Sequence, residues 1–211
     1  MEEHQKSPRF AADPATGAYY ENRASEYDDW YTGAGLFVSR DRPGWQDEIS
    51  RLTTTLSNLA PALTIDVACG TGFLSQHLKG PVVGLDQSRS MVQIARTRIR
   101  GGAVLIGDAL DLGIRSDSFF RVFTGSFYGH LSSTERHTFL DEARRVGTEL
   151  VVVDAALRPG VEPEQWQERV LNDGSRYHVY KRYLTADQLS REIRGEILFE
   201  GYWFVASRAT W

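Results

Sequence analysis

Cysteine is nearly absent: Cys69 is the single one in 211 residues, and there are only two methionines. A lone thiol excludes an internal disulfide and fits a reducing compartment, so a cytoplasmic location is expected. No apolar run approaches the roughly 18 residues of a membrane span. Basic charge is not in excess, with 24 Lys and Arg against 28 Asp and Glu and a net charge of −4. That removes the electrostatic footprint of a nucleic-acid binder. No His, Asp or Glu cluster has ligand spacing, so no metal is expected. The opening MEEHQKSPRF is polar and carries acids, unlike a secretory signal. No internal repeat and no second domain are visible.

What is present is an alternation. Residues 1–18, with Pro8, Pro14 and Gly17, read as a flexible tail, and residues 19–211 as one domain. An aromatic, acidic stretch from Tyr19 to Leu36 leads to an amphipathic helix over Trp45–Leu59, with Ile49, Leu52, Leu56 and Leu59 at helical spacing. Strands are predicted at Leu63–Val67, Pro81–Asp86, Ala103–Gly107, Phe120–Gly125 and Glu149–Asp154. Helical patterns lie between them at Phe73–Leu78, Met91–Ile99 and Thr134–Val146, the last opened by Ser132 with Glu135 three residues on. Arg89, Arg96, Arg98 and Arg100 read as a solvated helix face. Short apolar strands separated by helices indicate a parallel sheet covered on both faces. Arg158–Tyr183 breaks the rhythm, Thr185–Ile193 is again a capped helix, and Glu196–Phe199 with Trp203–Thr210 reads as a closing antiparallel hairpin.

The richest segment is TIDVACGTGF, Thr64 to Phe73. A buried strand ends in Asp66, and the small residues Ala68, Cys69, Gly70, Thr71 and Gly72 let the backbone approach a ligand before the pattern turns helical. A dinucleotide loop requires G-x-G-x-x-G; counted from Gly70 the third glycine falls on Ser75. A phosphate loop ending in Gly-Lys-Ser/Thr is also missing. S-adenosylmethionine needs neither. Asp86 ends the second strand, twenty residues after Asp66, where a carboxylate accepts both ribose hydroxyls. Asp108 ends the third, placed for the adenine amino group, with the Ala109 N–H beside the ring. Asp66 lies at the base of the loop, near the ligand's amino group. The bland alternative is a domain whose glycines only pack helix on strand.

DVACGTG (Asp66–Gly72), GLDQSRSM (Gly84–Met91), GDALDL (Gly107–Leu112) and FTGSFYGHL (Phe123–Leu131) together make the chain resemble the class I S-adenosylmethionine-dependent methyltransferases of the small-molecule kind, including the ubiquinone and menaquinone C-methyltransferases. Ala68 departs from the commonest glycine at its position. The resemblance implies a Rossmann-like three-layer sandwich with a seven-stranded, mostly parallel sheet and an antiparallel last strand. It implies S-adenosylhomocysteine as product and a small-molecule acceptor; the charge argues against a nucleic-acid partner, and a monomer or homodimer is expected. The resemblance places the cofactor on Asp66, Ala68, Cys69, Gly70, Gly72, Asp86, Gln87, Met91, Asp108, Ala109, Leu110, Gly125 and Ser126. It makes residues 19–60 a helical lid, with Tyr19 and Tyr27 reaching the cofactor, and residues 158–184 a substrate cap.

His130, just past the fourth strand, is the candidate general base; its alternative is a histidine that only hydrogen-bonds its loop. Tyr31, Tyr128, His178, Tyr180 and Arg182 are candidate acceptor contacts, the last three alternating along one strand. No Asn/Asp-Pro-Pro-Tyr/Phe run follows strand four, which argues against amino-group methylation of bases or glutamine. Two other classes stay open: a NAD-type oxidoreductase, and a binding module without catalysis.

Overall fold

The computed structural model describes residues 13–99 and 101–211. The expected tail lies outside them as far as residue 12, as does Arg100. From Pro14 the chain is already helical: α1 (Pro14–Arg23) starts on Asp13, whose carboxylate accepts from Thr16 N at 2.9 Å, with Pro14 at the first helical position. An Asp-Pro pair is a helix start, so the domain begins earlier than residue 19. A short helix α2 (Asp29–Thr32) and α3 (Trp45–Ser57) follow.

The strands are β1 (Thr64–Val67), β2 (Val82–Asp86), β3 (Val104–Ile106), β4 (Phe119–Gly125), β5 (Gly147–Ala155), β6 (Glu164–Val170), β7 (Arg176–Arg182), β8 (Glu196–Glu200) and β9 (Phe204–Thr210). Helices α4 (Arg89–Arg98), α5 (Ser133–Val146) and α6 (Ala186–Ile193) complete the fold, the last two opened by full capping boxes. Seven strands form one sheet in the order β3-β2-β1-β4-β5-β9-β8. β9 is antiparallel to both β5 and β8, while β1 to β5 run parallel to one another. One apolar layer joins α3 and α4 to the sheet, and a second joins α5 and α6 to its other face. This is the expected three-layer sandwich.

Two elements differ from the sequence reading. The helix expected over Phe73–Leu78 is a single 3-10 turn, Ser75–His77. Gly70 and Gly72 hold left-handed φ of 53° and 74°, and Pro81 cuts off the far end, so too few residues remain for an α-helix. The segment after β5 folds into an antiparallel pair, β6 with β7, that forms a separate small sheet. Its register sets Gln165, Gln167 and Arg169 opposite Lys181, Val179 and Tyr177, so these share one face, and Glu164, Trp166 and Glu168 share the other with Arg182, Tyr180 and His178.

The β8–β9 turn rests on α3. The buried Glu48 carboxylate accepts from Tyr202 N at 2.9 Å and from Trp203 N and Phe204 N, each at 2.8 Å. Glu48→Ala leaves these donors unpaired, two of them buried. We expect a loss of about 3 kcal/mol and a fall in Tm of roughly 6–12 °C by thermal denaturation, with Glu48→Gln in between.

Candidate active site

Parallel sheets expose a crevice at the carboxyl ends of their strands, where the strand order reverses. Here the reversal lies between β1 and β4. A cleft of about 680 Å³ opens at that place. Its floor is the β1 loop. Ala68 and Ser126, neither of them glycine, hold left-handed φ of 58° and 60° on opposite sides of the crevice. Such strain persists where the surroundings impose it. A Cβ on Gly70 would meet the Tyr27 ring at 3.5 Å, so the N-terminal aromatic segment lies directly on the loop.

Asp86 closes the loop. Its Oδ2 accepts from Gly70 N at 2.8 Å and its Oδ1 from Ser88 N at 2.9 Å. Burial raises its pKa, and those backbone donors offset part of the rise. Asp66 is also buried, and burial, with the nearby Asp86 charge adding, pushes its carboxyl up to about 8. The Ser75 hydroxyl beside it offsets part of that rise, yet it stands outside good hydrogen-bonding geometry. Asp66 Oδ1 and Ser75 Oγ therefore both lack a partner among the described residues. An orphaned carboxylate oxygen at this depth matches a cationic amino group. Asp108, at the exposed end of β3, accepts from Leu110 N at 2.8 Å.

The cleft brings together Ala68, Gly70, Asp86, Gln87 and Met91 with Asp108, Ala109, Gly125, Ser126, Tyr27 and His130, all singled out from the sequence. Asp66 and Cys69 line a smaller adjoining cavity of about 240 Å³ with Tyr31, which stacks on Phe73 at 4.1 Å between ring centroids. Gly72 packs under Ile99, and Leu110 lies against the α5–α6 apolar layer, so neither borders the cleft. Tyr19 is a correction: it is buried against Leu171 and Val179, and Tyr20 takes the place expected of it. The phase of α1 explains this, since Thr16 and Tyr20, four apart, both face the cleft, and Tyr19 and Arg23 face the next cavity. The Asp13-Pro14 start would have set that phase.

His130 donates through Nδ1 to the Tyr180 carbonyl at 2.6 Å, which leaves Nε2 to accept from the Tyr20 hydroxyl at 3.0 Å. Burial, and next the Lys181 charge, hold its pKa well below the usual histidine value, so the ring is neutral. Tyr128 is a second correction. It is fully buried against Phe139 with its hydroxyl on Glu192, in the apolar layer rather than the site. His178, Tyr180 and Arg182 do share one face of β7, but none borders the cleft or the cavity beside it. Arg182 is spent on Glu192, and the Tyr180 hydroxyl reaches Glu164 at 3.0 Å. The odd-numbered Lys181 and Tyr183 face inward instead. Alternation located the strand and left its phase open.

The N-terminal segment is held against the β1 loop and α4 by acids that the sequence did not single out. Glu21 accepts from the hydroxyls of Ser88 at 2.6 Å and Ser90 at 2.7 Å, at the start of α4. Asp28 accepts from Thr71 Oγ1 at 2.6 Å and pairs with Arg98, so Arg98 leaves the solvated face expected for it. Among the described residues no helix is long and apolar enough to cross a membrane, and no group of three or more His, Cys, Asp or Glu is arranged to hold a metal.

A second cavity of about 630 Å³ adjoins the first and shares Tyr20, Tyr27, Ser126 and His130 with it. Residues 64–149 match the family described as a methyltransferase domain. An uncharacterized methyltransferase of Alkaliphilus oremlandii is 24% identical over 167 residues, 73% of this chain and 75% of that protein. A demethylmenaquinone methyltransferase of Thermotoga maritima is 31% identical over 101 residues, 46% of this chain and 43% of that protein. Among solved structures, a DhpI-SAM-HEP complex superposes with a TM-score of 0.69 at 19% identity, covering 96% of this chain and 100% of that one. The domain match over residues 64–149 and the two relatives liken the chain to methyltransferases, as its motifs do, and the solved structure shares its fold.

Proposed function

We propose that the cleft holds S-adenosylmethionine, that the adjoining chamber holds a small-molecule acceptor, and that Tyr20, Tyr27, Ser126 and His130 stand where the two meet. The observation that carries this reading is the shared wall, with Asp66, Asp86 and Asp108 from three successive strands on the cofactor side of it. S-adenosylmethionine supplies a methyl group on a sulfonium, whose carbon–sulfur bond breaks toward sulfur as the acceptor's lone pair takes the methyl carbon. The chain's part is alignment and exclusion of water. Asp86 holds the ribose, Asp66 the amino group, and Met91 and Asp108 the adenine. Neutral His130 keeps the Tyr20 hydroxyl aimed at the junction and takes up a proton at Nε2 when the acceptor has one to lose.

Incubation with methyl-labelled S-adenosylmethionine and a small-molecule extract should yield labelled product and S-adenosylhomocysteine. Binding without any transfer would favour a non-catalytic module. Asp66 adds a pH signature. A carboxyl raised to about 8 is mostly protonated at neutral pH, and pairing with an ammonium favours its ionised form. Affinity should therefore rise between pH 6 and 8, by up to about tenfold per pH unit, and level off above. Titration calorimetry at several pH values checks this, and Asp66→Asn should flatten the dependence.

A further inference from the structure

The chamber wall carries Arg23, Arg158, Arg169 and Lys181 and no aspartate or glutamate. Lys181 is matched by Asp154. The three arginines are not: among the described residues none has a carboxylate within ion-pair distance. Arg23 is only 8% exposed. Its guanidinium donates to the Tyr19 hydroxyl at 2.6 Å and lies 4.9 Å from the Tyr27 ring centroid. Arg158 sits 4.5 Å from the Trp203 ring centroid, and Arg169 donates to Gln167. Burying guanidinium charge without a counter-charge is costly. Here Arg23 is buried so, and the half-buried Arg158 and Arg169 line the same cavity, in a chain whose net charge is −4.

The crowding is felt nearby. Arg40, in the outer groove that continues the chamber, has its pKa lowered by burial and then by Arg169 and Arg23. Rings provide most of the remaining wall, with Trp30, Tyr183 and Trp203 among them. Guanidinium forks match the two oxygens of an oxyanion. A neutral quinone ring, as the relatives' name suggests for them, would leave all three unmatched.

We propose that the chamber is an oxyanion site, and that the acceptor carries a carboxylate or phosphoryl group held by Arg23, Arg158 and Arg169. The site explains why the three cations converge on one cavity without a carboxylate between them. It also puts the acceptor's charge beyond the Tyr20–His130 junction, so that the anion orients the remainder of the molecule toward the cleft. The inference rests on the methyl-transfer reading of the adjoining cleft.

Titration calorimetry on the protein saturated with S-adenosylhomocysteine tests it, with benzoate, phenyl phosphate and the neutral benzamide as probes. At least one anion is expected to bind about tenfold or more tightly than benzamide, and to lose about tenfold in Arg169→Gln and in Arg158→Gln, with S-adenosylhomocysteine affinity unchanged. Both replaced side chains are partly exposed, so the variants should fold. The benzoate and phenyl phosphate arms distinguish carboxylate from phosphoryl recognition. No anion binding, benzamide binding as tightly as the anions, or an anion affinity untouched by both substitutions overturns the oxyanion site. Failure of the unaltered protein to bind S-adenosylhomocysteine overturns the methyl-transfer reading instead.

Discussion

Asp86→Ala is expected to raise the dissociation constant for S-adenosylmethionine by about 100-fold or more, since a hydrogen bond to a charged group contributes about 1.5–3 kcal/mol and two ribose hydroxyls are involved. The carboxylate has a second duty. Its oxygens already accept from Gly70 N and Ser88 N, so removal also frees the β1 loop from the start of α4. Asp86→Asn separates the two effects. The amide keeps one acceptor for Ser88 N but turns an N–H₂ toward the Gly70 donor, so it should lose affinity while costing less stability than alanine. Calorimetric titration with S-adenosylhomocysteine, paired with thermal melts, reads both. A dissociation constant within threefold of the unaltered protein would refute ribose recognition by Asp86.

Much of this site was visible in the sequence, for a physical reason. Asp86, Asp108 and Gly125 sit at or next to the ends of short apolar strands, and a strand's end is marked locally, by the switch from apolar to small or acidic residues. The capping boxes at Ser132 and Thr185 were likewise local and appear as expected. The misplacements arose where phase, rather than presence, had to be known. Tyr19 and Tyr20 differ by one residue on α1, and Tyr180 and Lys181 by one on β7; a single step turns a side chain to another face. Tyr128 was misplaced because the polar half of its ring is satisfied by Glu192, a residue 64 positions away. No local pattern reports such a partner. The same holds for Arg23, Arg158 and Arg169, which converge from α1, the post-β5 loop and β6.

The second large effect concerns the support beneath His130. Asp154 is fully buried at the end of β5, and Lys181 is buried on β7. The two form an ion pair, and Asp154 also accepts from Gly129 N and Ala155 N, each at 2.7 Å. That one carboxylate thereby ties the Tyr128–His130 turn, the main sheet and the small sheet together. Gly129 has no room for a side chain, since a Cβ would lie 2.5 Å from the Arg182 carbonyl oxygen and 2.9 Å from Lys181 Nζ. Asp154→Ala should cost about 3–5 kcal/mol, because it leaves a buried ammonium uncompensated. The Tm should fall by roughly 6–20 °C. Adding Lys181→Met removes the stranded charge, so the double variant should be more stable than Asp154→Ala alone, and the double-mutant cycle should show coupling. The two changes are also distinguishable at His130. Lys181 is, after burial, the largest influence holding the histidine pKa down. In the double variant that influence is gone, so the pKa of His130, followed by NMR of its ring protons, should move upward. If instead the double variant melts no higher than Asp154→Ala and the histidine pKa stays put, the pair neither braces the turn nor sets the field in which His130 works.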